Sequence, residues 1–148
     1  MRAKKIIKIL LLILIVVIAL ALLVDIMIYP LKTTVFDLTG MDREEIVSVQ
    51  IWHYGKTVVV EYAGKMQTIL DSLEGEATRG QNDYFYNSNG GDWVIRFVDK
   101  DAVVSDAILL CQGWQNRGIK YGHYYYFFKD LDNDDFEAVL QIWEELNP

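Results

Sequence analysis

The chain opens on a long apolar block and then changes rhythm. From Ile9 to Val24 all sixteen residues are apolar, and from Ile6 to Tyr29 only Lys8 and Asp25 carry charge. A helix of about 20 apolar residues crosses the hydrocarbon core of a bilayer, so this block predicts a membrane-spanning helix. Pro30 stops it, and residues 30–41 read as a linker with a turn at Gly40. "MDREE" predicts one helical turn, with Asp42 as cap and Glu44 and Glu45 in the first turn. The apolar spacing then falls to two. Val47, Val49 and Ile51 alternate with Ser48 and Gln50, which predicts a half-buried strand over Ile46–Trp52. "HYGK" makes a tight turn at Gly55, and "TVVVEY" (Thr57–Tyr62) returns as the second strand of a hairpin. Met66, Ile69, Leu70 and Leu73 fall at i, i+3, i+4 and i+7, a helical stripe that Gly75 ends. "EATRGQNDYFYNSNGGD" reads as a long loop with a short strand at Tyr84–Tyr86. Trp93–Val98, Val103–Cys111 and Ile119–Phe128 predict three more strands, the first two joined by the turn "DKDA". Phe136, Val139, Leu140, Trp143 and Leu146 form the stripe of a closing helix that begins near Asn133.

The expected order after the spanning helix is β-β-α-β-β-β-α. Hairpins dominate it, so the fold class is α+β: a small, mostly antiparallel sheet with helices packed on one face. The chain divides into a basic stub and anchor (1–29), a linker (30–41) and a domain (42–148), and about 110 residues can bury an adequate core. The plan resembles that of small uncharacterised extracytoplasmic α+β domains of Gram-positive bacteria, carried behind a signal anchor or lipoprotein signal. The stretches that carry the resemblance are "EEIVSVQIWHYGKTVVVEYAGKMQTILDSLEG" and "GDWVIRFVDKDA", within residues 44–146. It implies strand, turn, strand, helix and a further hairpin, and no catalytic residues.

Charge adds a direction. The net charge of −7 hides two segments of opposite sign. Arg2, Lys4, Lys5 and Lys8 face only Asp25 in the leader, which leaves 20 acidic against 10 basic residues from Pro30 onward. Basic residues flank the cytoplasmic end of a spanning helix, so the N-terminus is expected in the cytoplasm and the domain outside the plasma membrane. Lys8 can snorkel to one interface, and Tyr29 suits the other. Ala19-Leu20-Ala21 has the small-x-small pattern of a signal-peptidase site. The apolar run continues through Leu22, Leu23 and Val24, however, so the block reads as an uncleaved anchor. No cysteine stands where a lipoprotein signal needs one. An acidic domain lacks the basic footprint that nucleic acid requires; it suits a cationic partner.

Candidate chemistry is sparse. Cys111 is the single cysteine, follows "AILL", and reads as a small core residue. Asp130, Asp132 and Asp134 match positions 1, 3 and 5 of a calcium loop, but Asp135 stands where glycine is needed and Gln141 where a bidentate glutamate is needed. Those acids read instead as caps of the closing helix. His53 and His123 lack partners at metal-binding spacing. No nucleophile elbow or phosphate loop appears. No catalytic residue, metal or cofactor is therefore expected. Loop carboxylates such as Asp83 and Asp92 keep a small cell-envelope hydrolase as the alternative. The aromatic residues point elsewhere. "YGHYYYFF" alternates Tyr124, Tyr126 and Phe128 with Tyr125 and Phe127, so one aromatic face should lie uncovered. Tyr and Trp anchor protein and glycan contacts. Tyr124, Tyr125, Tyr126, Trp114 and Tyr86 are the expected binding residues of an anchored interaction module. Its role would be that of a sensor, an accessory subunit or an immunity-type inhibitor, and its partner an envelope protein or glycan.

Overall fold

The structure is a computed structural model and describes residues 2–80, 93–112, 117–128 and 133–147. It divides into two compact units, Met1–Leu31 and Lys32–Pro148.

The first unit is α1 (Arg2–Ile28), 27 residues. At 1.5 Å per residue it is about 40 Å long, against a hydrocarbon core of about 30 Å. The stretch Lys5–Ile28 is long and apolar enough to cross a membrane, and its apolar side chains stand exposed along its length. A single N-terminal helix of this kind can anchor the chain in a bilayer.

The second unit mixes helix and sheet. It runs β1 (Lys32–Thr33), α2 (Val35–Thr39), a 3-10 turn (Arg43–Glu45), β2 (Ile46–His53), β3 (Lys56–Val60) and α3 (Ala63–Ser72). β4 (Ala77–Arg79), β5 (Trp93–Asp99), β6 (Ile108–Gln112), β7 (Arg117–Tyr121), β8 (Tyr124–Phe128) and α4 (Asn133–Leu146) follow. The described strands form one sheet in the order β1-β4-β8-β7-β6-β5-β2-β3, and every pairing is antiparallel. This order and its helix count differ from the expected β-β-α-β-β-β-α, for local reasons.

The expected strand Ile119–Phe128 is two strands. Tyr121 pairs with Tyr124 across a two-residue turn, and its first residue, Gly122, has φ +59. Two-residue hairpin turns take their first central residue at positive φ, where glycine costs least. The expected strand Val103–Cys111 starts only at Ile108. Asp99 Oδ1 accepts from the N–H of Asp101 (2.8 Å) and of Val103 (2.9 Å) and shapes the turn, and beyond it Phe97 N–H donates to Ser105 Oγ (2.9 Å) in place of a backbone carbonyl, which breaks the ladder until Ile108 pairs with Ile95. Only an isolated bridge, Val98 to Val104, remains there. β1 and β4 span two and three residues, too short for a period to show. The expected strand at Tyr84–Tyr86 lies outside the described residues.

Residues 32–41 carry β1 and α2. Thr34 caps α2: its Oγ1 accepts from Asp37 N–H (3.1 Å) and donates to the Asp37 carboxylate (2.8 Å). Val35, Leu38 and Met41 are buried. Asp42 caps the following 3-10 turn through Glu44 N–H at 3.0 Å.

The registers sort the strand residues into two faces. One face carries Val49, Ile51, Val58, Val60, Ile95, Phe97, Ile108, Leu110, Ile119, Tyr126 and Ala77, all in the core cluster. Val35 and Leu38 of α2, Ile69 and Leu70 of α3, and Val139, Ile142 and Trp143 of α4 complete the same cluster. Burying side chains of this size contributes about 1.5–3 kcal/mol each, so this layer holds the fold together. The stripe Met66, Ile69, Leu70, Leu73 does pack inward.

Candidate functional site

β8 holds three of the expected binding residues together but offers little of them to solvent. Tyr124, Tyr126 and Phe128 take the core face, and Tyr126 is 0% exposed. The Arg79 guanidinium lies 4.3 Å above the half-buried Tyr124 ring, a cation–π contact. Tyr125 and Phe127 take the second face. Tyr125 is only 8% exposed, with Lys120 Nζ 5.6 Å from its ring centre. Phe127 lies against Gly118 and Gly80, which leave its ring room because they carry no Cβ. Trp114 and Tyr86 lie outside the described residues, as do Asp83 and Asp92 of the hydrolase alternative.

On the core side, aromatic rings tie α4 to the ends of β2 and β5. The buried His53 stacks on Trp93, with centroids 3.5 Å apart and planes 14° apart. Trp143 meets both rings edge-on at 5.3 Å. Its indole Nε1 is buried and finds no hydrogen-bond partner among the described residues. His53 is thus a packed core histidine, whereas His123 stands exposed in the β7–β8 turn. Among the described residues no cluster of three or more His, Cys, Asp or Glu side chains is placed to hold a metal ion. The calcium register fails in the backbone as well: Leu140 and Gln141 would be loop positions 11 and 12, and both lie within α4. Asp130 and Asp132 lie outside the described residues.

The second face of the sheet supplies the accessible surface. Cross-strand partners line up as Thr57, Trp52, Val94, Leu109, Lys120 and Tyr125, from β3 to β8. A neighbouring row runs Val59, Gln50, Arg96. None of these residues belongs to the core cluster. The β8 end of the long row is covered, while the β2–β3 end is open: Trp52 is 39% exposed, Val59 is 49%, and Arg96 is exposed. Charge is segregated too. The described strand positions on this face include Lys32, Arg96 and Lys120 and no carboxylate, although the chain from Pro30 onward is acidic two to one. Lys32 is paired with Glu76 at 2.9 Å. The signal for this patch is present in the sequence. Trp52 shares the parity of Ser48 and Gln50, the polar side of a half-buried strand, where a large indole has no packing reason to stand.

Beside β3, Val59, Val60, Glu61 and Tyr62 line an open, mostly apolar groove of about 470 Å³ with Lys65 of α3 and Leu146 of α4. Lys65 is held there by Glu145 at 2.6 Å. Comparison of the chain with protein-family models, with curated proteins and with solved structures finds no match.

Proposed function

We propose that the chain is a single-pass plasma-membrane protein with its N-terminus in the cytoplasm, and that the domain outside works by binding and not by catalysis. The orientation rests on Arg2, Lys4, Lys5 and Lys8 before the apolar block. The binding role rests on one observation: Trp52 stands exposed on a sheet face outside the core cluster, beside Val59, Val94 and Arg96. A rigid indole with an adjacent guanidinium is a usual anchor of interfaces. The face is cationic in an otherwise acidic domain, which favours an envelope protein or glycan that presents carboxylates. The role is that of a sensor, an accessory subunit or an immunity-type inhibitor.

A photo-crosslinking residue at Trp52, in the full-length chain in its own membranes, should capture a partner, and Arg96→Glu should abolish the adduct. Capture no stronger than from a probe at the exposed Glu137 of α4 would sink the binding role. A reporter fused after Pro148 that works only in the cytoplasm would overturn the orientation.

A further inference from the structure

We propose that β3 is a dimerisation edge: two copies of the chain pair antiparallel through β3, with Val59 on the two-fold axis.

The sheet order leaves β1 and β3 at its two edges among the described strands. β1 is two residues long, whereas β3 is five. Edge strands are normally blunted by proline, a bulge or charge along their length. β3 has no proline, pairs with β2 without a register shift, and carries its one charge at its first residue. It therefore remains competent to accept a strand.

The occupant follows from the strand's own charges. The segment begins basic at Lys56 and ends acidic at Glu61, with valines between. A parallel copy would set like charges side by side; an antiparallel copy brings each end to its opposite. A two-fold axis perpendicular to the sheet keeps every side chain on its own face, so opposed residues must share parity and the axis must pass through a residue. With Val59 on the axis, Val58 opposes Val60 of the partner subunit, Thr57 opposes Glu61 of the partner subunit, and Lys56 opposes Tyr62 of the partner subunit. Each pair is compatible: apolar with apolar, hydroxyl with carboxylate, ammonium with an aromatic ring. Centring on Val58 would set Lys56 against Val60 of the partner subunit. Centring on Val60 would set Val59 against Glu61 of the partner subunit. Both lose these pairings. The groove beside β3 fits the same arrangement, because Tyr62 is 74% exposed there and Leu146 is 40%. The dimer would also carry both Trp52 patches on one side of a continuous sheet.

The test uses the full-length chain in membranes, with Cys111 retained and wild type as the blank. Val59→Cys should form a disulfide-linked dimer under mild oxidation, because paired Cα atoms lie about 4.5–5.5 Å apart and a disulfide needs less than about 7 Å. Thr57→Cys should not, because its two copies would stand about 13 Å apart along the ladder; a mixture of Thr57→Cys and Glu61→Cys chains should. Thr57→Glu, which would face Glu61 of the partner subunit, should raise the dimer dissociation constant on the order of tenfold, and adding Glu61→Lys should restore it. The proposal is overturned if Val59→Cys dimerises no more than Thr57→Cys, if its adduct is with a different protein, or if Thr57→Glu with Glu61→Lys is no tighter than Thr57→Glu alone.

Discussion

Gly118 is the position where a single methyl group should do most damage. It pairs with Phe127 across the β7–β8 hairpin. A Cβ there would lie 2.3 Å from the Tyr126 carbonyl oxygen and 3.1 Å from Phe127 Cδ1. Real Cβ contacts are essentially never shorter than 3.0 Å, so Gly118→Ala must open the gap to a backbone atom by about 0.7 Å. The ring of Phe127 can turn, but the carbonyl cannot, since Tyr126 is fully buried in the core. Overpacking costs about 1–3 kcal/mol, and weakening one ladder hydrogen bond adds about 1 kcal/mol. The expected loss is about 3 kcal/mol. At about 4 °C per kcal/mol for a domain of this size, the melting midpoint of the full-length protein in detergent, followed by circular dichroism, should fall by about 12 °C. Gly64→Ala is the control. Gly64 lies in α3, and its new Cβ would meet the Tyr62 ring, Cε1 at 3.2 Å and Cδ1 at 3.7 Å, in an exposed side chain. Its midpoint should hold or rise, because alanine is favoured over glycine in a helix by about 0.5–1 kcal/mol. A Gly118→Ala midpoint within about 3 °C of wild type, less than 1 kcal/mol, would refute the tight approach of β7 to β8.

Three further outcomes follow from particular contacts. Ser105 is buried, its Oγ accepts from Phe97 N–H at 2.9 Å and donates to the Asp106 carbonyl at 2.9 Å; Ser105→Ala should cost about 1–3 kcal/mol, read as a lower urea midpoint with an unchanged slope. Tyr54 has φ +46 beside Gly55 at φ +78, the two central residues of the β2–β3 turn. Type I′ turns favour Asn-Gly there, so Tyr54→Asn should stabilise by about 0.5 kcal/mol after its ring contact with His53 is lost, and a lower urea midpoint would contradict this. Lys100 has its pKa raised, first by the hydrogen bond from its ammonium to Glu45 and then by that residue's charge. A raised lysine value means stability present below the ordinary lysine pKa and lost as pH climbs through the folded one. The pair is exposed, so Lys100→Met should leave the midpoint unresolved from wild type at physiological salt, and a fall of several degrees at neutral pH would contradict that.

Much of the fold was legible where a period persisted for two or more turns. The β2–β3 hairpin, the α3 stripe, β5 and the start of α4 at Asn133 all follow from spacing. What escaped was set by single residues or by contacts distant in sequence. The Ser105 hydroxyl captures the Phe97 amide and delays β6 to Ile108, and nothing in "VVSDA" competes visibly with a strand. β1 and β4 exist because they pair with each other and with β8, not because two or three residues favour extension. Composition was legible too: the apolar block of α1 spans the length a bilayer needs.

The candidate site shows how one turn redirects an inference. In an unbroken strand over Ile119–Phe128, Ile119 and Tyr121 would share a face with Tyr125 and Phe127, and aromatic residues would crowd both sides. The two-residue turn at Gly122 shifts that parity. Ile119 then opposes Tyr126 and Tyr121 opposes Tyr124, so both join the core face. The run that looked like an excess of surface aromatics is thereby divided. Tyr126 fills the core, Tyr124 sits under Arg79, and Phe127 is pressed onto Gly118. Packing accounts for these rings, and an anchor for a partner must be sought where packing does not account for one. Trp52 meets that condition. Its row continues to Tyr125, but at its own end its cross-strand partners among the described residues are Thr57 and Val94, and the adjacent row brings Val59 and Arg96. A 39% exposed indole on the polar side of β2 stands outside the core cluster of the described residues and shows apolar surface to water. A partner that covers it would recover about 25 cal/mol for each Å² of that surface, which makes this end of the sheet the place to probe first.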